Sequence, residues 1–258
     1  MTKLMHTQFS EGEWADRLKL AALYRLMTIH RMSDAANQAL MLRCSDNPNH
    51  FLTHRLGSFF GDVKASELLR CDFEGVDVHS GEKLVHGKLG GLNAGILNLC
   101  VPIFESQAQI NCMIHAHSKA VLTISMLQCG LLPVTQAALY IIPRLNYWPY
   151  IFNEDENFRS KFAKAFAGNQ VIIANNHGFY AIGKDPAEAF FLAFYLSQAC
   201  DAQAAAMSCG EPLLVIPDEE VSATWEDMRT STEYHYDGSI EWDGWMRMVE
   251  KYESDYKL

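Results

Sequence analysis

The chain has 258 residues, 49% of them apolar and 20% charged, which is length and apolar content enough for a full hydrophobic core. Its net charge of -10 and its pI near 5.4 exclude nucleic acid as an expected partner, because no basic stripe balances the acids. Met1 to Ser10 lack the apolar stretch of a secretory leader and no apolar run approaches eighteen residues, so a cytoplasmic protein with no membrane partner is expected.

Ser10 and Glu13 have the spacing of a capping box and predict a helix through Leu18, Ala21, Ala22 and Met27 to about His30. Strand-like pieces follow at Ala39 to Arg43 and Phe51 to Thr53, then a short helix at Ala65 to Arg70. Gly90 to Ser106 reads as a helix kinked or ended early by Pro102. Gln109 to His117 reads as an apolar strand, Ser118 as the cap of a helix from Lys119 to Cys129, and Gly130-Leu131-Leu132-Pro133 as a turn. Asn157 to Ala167 is predicted helical, and Val171 to Ala174 and Phe179 to Ile182 are predicted strands. Asp185-Pro186-Ala187-Glu188 opens a helix, with a cap, a proline at N1 and an acid at N3, that reaches about Met207. From Glu211 the chain is acidic and turn-rich until Ser239. Trp242, Trp245, Met246, Val249, Tyr252 and Tyr256 then recur at helical spacing. These features divide the chain into residues 1–210 and a C-terminal extension, 211–258, whose amphipathic helix packs on its own domain or on a neighbouring subunit. Seven cysteines, at 44, 71, 100, 112, 129, 200 and 209, form no C-x-x-C pair and are expected to be reduced, buried and structural.

The chemistry-bearing residues are histidines. On a strand the side chains at i and i+2 leave the same face, so His115 and His117 present two imidazoles in one direction. His177 follows another apolar strand and precedes Gly178. Three neutral imidazoles suit a borderline divalent ion such as zinc, manganese, iron or cobalt, with coordination positions left open for a substrate.

His115-Ala116-His117-Ser118, Gly130-Leu131-Leu132-Pro133, Asn176-His177-Gly178 and Ala187-Glu188-Ala189-Phe190 resemble, in order and spacing, the motifs of the class II aldolase/adducin family. The likeness extends from about Leu20 to Met207 and includes Leu20-Ala21-Ala22-Leu23-Tyr24-Arg25 and Ala65-Ser66-Glu67-Leu68-Leu69. It implies an α/β fold, a three-layer α/β/α sandwich around a mainly antiparallel sheet, and a homotetramer with a metal site near a subunit interface. It also implies that His115, His117 and His177 hold a divalent ion that polarises a substrate carbonyl.

Two departures from the family pattern redirect the functional reading. Family aldolases that act on sugar phosphates carry a glycine-rich phosphate loop, whereas the matching stretch from Asp34 to Leu40 contains no glycine. They also place an acid/base glutamate nineteen residues ahead of the first metal histidine, and here that position is Ile96, which transfers no protons. The nearby polar groups are Asn93, Asn98, Cys100 and Glu105. In a second family loop, Thr53-His54-Arg55-Leu56-Gly57, Arg55 is a candidate partner for a substrate carboxylate and His54 a further candidate. Gln136 is placed after the Gly-Leu-Leu-Pro turn to face a pocket. Tyr140, Tyr147 and Trp148 are candidates for its apolar wall, and Lys119 for meeting an anion. The expected function is a metal-dependent lyase, of aldolase or decarboxylase type, acting on a small non-phosphorylated oxo- or hydroxy-acid. The alternatives are a three-histidine non-haem iron oxygenase and a non-catalytic scaffold of the adducin kind.

Overall fold

The computed structural model describes residues 8–85, 87–93, 95–150 and 156–258. Helix α1 spans Glu11–Ile29 and starts where the Ser10 hydroxyl accepts the Glu13 N–H at 3.1 Å. Only this half of the predicted capping box forms. The Glu13 carboxylate is buried and turned away from Ser10, held by Arg17 and Arg70 at 2.7 Å each and by His79 at 2.8 Å. These bonds outweigh the burial and hold the carboxyl below the usual carboxylate range.

Seven strands form one sheet: β1 (Ala39–Arg43), β2 (His50–Thr53), β3 (Leu69–Asp72), β4 (Cys112–Ala116), β5 (Leu145–Trp148), β6 (Val171–Ala174) and β7 (Gly178–Gly183). Their order is β3-β2-β1-β4-β7-β6-β5, and every pairing is antiparallel except β5 with β6. Side-chain alternation sends Leu40, Leu42, Cys112, Ile114, Ile173 and Phe179 to one face, where they pack with residues of α1, α3 (Lys119–Ser125), α4 (Gln136–Ile141) and α6 (Pro186–Ser208). Met41, Met113, Ile172, Tyr180 and Ile182 point to the other face. They pack there with Ile96 to Phe104 and with Phe158, Phe162 and Phe166 of α5 (Glu156–Ala165) and its end. Both faces of the sheet are therefore covered, which is the three-layer α/β/α arrangement expected from the resemblance.

The C-terminal helix α8 (Trp242–Tyr252) adds to the first layer: Trp245 meets Phe190 edge to face at 4.7 Å, and Val249 and Tyr256 join the same core. Arg25, buried in α1, pairs with Glu253 at 3.3 Å and Asp255 at 3.4 Å, while the Ser66 N–H donates to the Leu258 carbonyl.

Several predicted boundaries are corrected. The stretch Gly90 to Ser106 is not one helix: Ile96–Cys100 winds as a π-helix ahead of α2 (Val101–Ser106), and Pro102, which has no N–H to give the preceding turn, lies at their junction in the first turn of α2. Ala65 to Arg70 forms only a 3-10 turn, Ala65–Glu67, before β3 pairs Arg70 with Leu52 of β2. Here tertiary pairing overrides local helix preference. Helix α3 stops at Ser125 instead of Cys129, and Ser118 does not cap it, because its hydroxyl lies 2.9 Å from that of Ser197. Helix α4, capped by Thr135, and strand β5 lie in a stretch for which the sequence suggested no element, and α7 (Asp218–Thr230) lies in the segment expected to be turn-rich. Cys129 and Cys209 are exposed, contrary to the expectation that all seven cysteines are buried.

Candidate metal centre

Strand β4 ends at the middle of the sheet, paired with β1 on one side (Ala39 opposite His115) and with β7 on the other (Tyr180 opposite His115). This places His115 at a strand end, with its ring stacked on Tyr180 at 4.1 Å and 10°. Its Nδ1 lies 2.9 Å from the carbonyl of Phe179. A carbonyl only accepts, so Nδ1 carries the proton and Nε2 is left with a lone pair. Burial first, then the neighbouring His117 and His177, push the His115 pKa well below the ordinary imidazole range and keep the ring neutral.

His117 sits just past the end of β4 and is set the same way by a side chain. Its Nδ1 lies 2.9 Å from Oδ2 of Asp34, an acceptor, so its Nε2 also presents a lone pair. The two Nε2 atoms are only 3.3 Å apart. Two lone pairs facing each other at that distance repel unless a proton or a cation lies between them, so the donor set fits a bound cation.

His177 is delivered by the three-residue turn between β6 and β7. The Asn175 N–H donates to the Trp148 carbonyl and the Asn176 N–H to that of Ser125, and Asn176 takes the left-handed conformation (φ 59°) that an Asn tolerates. Gly178 follows at φ 155°. A Cβ there would meet the Ala116 carbonyl oxygen at 2.6 Å and His117 Cδ2 at 2.7 Å, so only glycine lets β7 approach the histidine strand this closely. The His177 ring lies 5.1 Å from that of His115 and 4.9 Å from that of His117, and burial, with His117 beside it, lowers its pKa. One nitrogen from each histidine falls within 4.8 Å of the other two, a set that can grip one ion from one side and leave the other side open.

The histidines form part of the wall of a cleft of about 670 Å³, with Asp34, Asn37, Asn93, Leu99, Cys100, Leu122, Tyr150, Asn176 and Tyr180 around them. Among the described lining residues there is no lysine or arginine, and Asp34 supplies the lone carboxylate. Ile96 is fully buried in the apolar layer. Of the four polar alternatives to the missing glutamate, Asn93 and Cys100 line the cleft, whereas Glu105 is exposed and, like Asn98, lies outside the lining.

The other sequence candidates sit elsewhere. Arg55 is exposed and donates to the Gly90 carbonyl at 3.3 Å. His54 is buried 2.9 Å from the Tyr24 hydroxyl, its Nε2 has no partner, and burial pushes its pKa down to about 4. Gln136 is exposed at the start of α4, and Lys119 is exposed at the start of α3. Tyr140 packs on Phe191, Tyr195 and Tyr236, and the Tyr147 hydroxyl accepts the Leu131 N–H at 2.7 Å. Trp148 closes a small apolar recess that also touches His177 and Tyr180. Asp34 and Tyr180, which touch the histidines, and Asn37, Leu99, Leu122 and Tyr150, which line the cleft around them, are not marked by any motif in the sequence. Asp34 lay in a loop of interest only for its lack of glycine. The alternation of β7 does place Tyr180 on one face with Ile182, but it does not say that the ring meets His115.

A mostly antiparallel seven-stranded sheet between helical layers, with three imidazoles gathered at one end, is the architecture of a class II aldolase-type domain. The chain belongs to the Class II Aldolase and Adducin N-terminal domain family, whose profile matches residues 18–204. It is similar to a protein of Caulobacter vibrioides named after the class 2 aldolases, at 27% identity over 99% of this chain and 96% of that protein. It is similar also to beta-adducin of Rattus norvegicus, at 29% identity over 91% of this chain but only 31% of the adducin, so the chain spans about a third of that relative's length. Among solved structures, an aldolase II superfamily protein from Pseudomonas syringae superposes with a TM-score of 0.86 at 27% identity, covering 96% of this chain and 97% of that one. The L-fuculose 1-phosphate aldolase of Glaciozyma antarctica shares the fold, with a TM-score of 0.80 at 18% identity over 100% and 99% of the two chains. Among the described residues no helix is long and apolar enough to cross a membrane.

Proposed function

We propose that the protein is a metal-dependent lyase, of aldolase or decarboxylase type, acting on a small oxo- or hydroxy-acid without a phosphate, with His115, His117 and His177 holding one zinc, manganese, iron or cobalt ion. The observation that carries this reading is the 3.3 Å approach of two Nε2 lone pairs, each fixed by a hydrogen bond behind its ring. Such an ion, when bound, acts as a Lewis acid on the substrate carbonyl and takes up charge as a carbon-carbon bond breaks. The chain's own residues hold His115 and His117 in the ligand tautomer, through Phe179 and Asp34, and keep His115 uncharged by burial. The amides of Asn37, Asn93 and Asn176 line the cleft with hydrogen-bonding groups for substrate oxygens. Ile96 in place of an acid, with Asp34 committed to His117, favours decarboxylation, which needs an electron sink more than a strong base. The absence of lysine and arginine from the described lining favours a substrate without a phosphate.

Arg55 follows β2 at the sheet end where Ala39 pairs with His115; it lies outside the described lining, on the Gly90 carbonyl, and is the proposed contact for the substrate carboxylate from the rim once it leaves that bond. Gln136, exposed on α4, is a secondary contact that reaches a substrate from a neighbouring subunit of a homotetramer, whereas His54, enclosed by Tyr24 and Phe60, supports the frame behind Arg55 and not the substrate itself. The test is metal analysis of protein purified without oxygen, followed by turnover of a panel of oxo- and hydroxy-acids. One ion per chain is expected, with carbon-carbon cleavage that His117→Ala abolishes. Wild-type protein that retains no metal and cleaves nothing would overturn the proposal in favour of an adducin-like scaffold.

A further inference from the structure

Asp34 is the lone carboxylate among the described residues lining the cleft, and its Oδ2 is bonded to the ring nitrogen of His117 that faces away from the histidine cluster. The loop that carries it is tied down: Gln38 is fully buried and its side-chain amide donates to the Ala35 carbonyl at 3.2 Å, while the Asn93 amide donates to Asn37 at 3.3 Å and to the Gln38 carbonyl at 3.4 Å. The carboxylate is therefore held at one place on the cleft wall, and its side chain is 45% exposed, open to whatever enters.

We infer that Asp34 is both a positioning residue and a specificity-determining residue: it fixes His117 with its Nε2 lone pair toward His115, and its charge disfavours phosphorylated substrates in the cleft relative to carboxylate monoanions. This rests on the lyase reading and deepens it by naming the residue that discriminates against phosphates. The positioning part follows from the donor rule. With a carboxylate on Nδ1, the proton stays there and the metal-facing nitrogen is free, an arrangement whose loss costs about 10- to 100-fold in metal affinity. The exclusion part follows from Coulomb's law: a divalent ion on neutral histidines would attract a dianion twice as strongly as a carboxylate monoanion, and the fixed charge of Asp34 takes back part of that attraction in the same proportion, with no described lysine or arginine in the lining to restore it. A discrimination of about threefold between dianion and monoanion is expected at moderate ionic strength.

Asparagine separates the two roles, because its side-chain oxygen still accepts the Nδ1 proton but carries no charge. Cobalt(II) titrations of metal-free wild type, D34N and D34A are expected to show a loss of about 10- to 100-fold for D34A and only a few-fold loss for D34N. Inorganic phosphate, titrated into the cobalt-loaded proteins, is expected to bind D34N about tenfold more tightly than wild type, with acetate binding changed much less. Wild-type cobalt affinity in D34A would overturn the positioning role. Equal phosphate binding by D34N and wild type would overturn the exclusion. If wild-type protein takes up no cobalt, the lyase reading fails instead. The Asp34 orientation is then read from the nitrogen-15 shifts of His117 in the metal-free protein, where the Nδ1–H form in wild type and its loss in D34A support it, and an unchanged tautomer overturns it.

Discussion

Gly178→Ala is the sharpest perturbation of the site that replaces none of its ligands. The new Cβ would lie 2.6 Å from the Ala116 carbonyl oxygen and 2.7 Å from His117 Cδ2, with the backbone at φ 155°. Backbone strain of this kind costs about 1–3 kcal/mol. Overpacking against a backbone oxygen adds about 1–3 kcal/mol, for a total of about 2–6 kcal/mol against a typical domain stability of about 5–15 kcal/mol. The clash is relieved by moving β7 away from β4, which lengthens the 2.9 Å bond from His115 Nδ1 to the Phe179 carbonyl and carries His177 with it. Urea unfolding and cobalt titration are the assays: a lower midpoint and at least a tenfold weaker affinity are expected together. Gly168→Ala is the control, because Gly168 has φ 77° but open space around it, so it reports the backbone term of about 1–2 kcal/mol without the clash. A Gly178→Ala protein with a wild-type midpoint and affinity would show that β7 does not need glycine to approach His117.

Two further predictions concern the frame. His54 is buried with a pKa pushed down to about 4 by desolvation, against about 6.5 in the unfolded chain. The unfolded state therefore binds the extra proton first as pH falls. Stability is lost between about pH 6.5 and 4, by up to about 3 kcal/mol, and His54→Gln is expected to flatten that slope in urea melts taken across the range. Glu253→Ala with Asp255→Ala strips the acids from the buried Arg25. A loss of up to about 3 kcal/mol is expected from the uncompensated guanidinium. Adding Arg25→Met should recover most of it; no loss in the double variant would show that the C-terminal ion pairs contribute nothing, and no recovery in the triple would show that the loss does not come from the unpaired guanidinium.

Much of this was legible in the sequence where local rules decide. The Asp185-Pro186-Ala187-Glu188 start gives α6, with the Asp185 side chain accepting the Glu188 N–H at 2.9 Å, and the alternation in β4 and β7 gives strands within a few residues of their ends. The i, i+2 spacing of His115 and His117 suffices to put both imidazoles on one end of β4. Elements decided by long-range pairing were not legible. Strand β5, Leu-Asn-Tyr-Trp, lacks an alternating pattern and exists because β6 pairs beside it, and Leu69 to Asp72 became strand because β2 supplied partners. The Asp34 bond to His117 joins residues 83 apart, and no motif encodes it.

The central claim is that three histidines hold an ion that breaks a carbon-carbon bond without oxygen. The direct measurement records oxygen concentration and product in one cell, with metal-loaded protein and the oxo- or hydroxy-acid panel, in air and then under argon. Product formed at the same rate in both, with no oxygen uptake and none formed by His117→Ala, is the expected result. Substrate-dependent oxygen uptake, with turnover that stops under argon, would contradict it and make the centre an oxygenase.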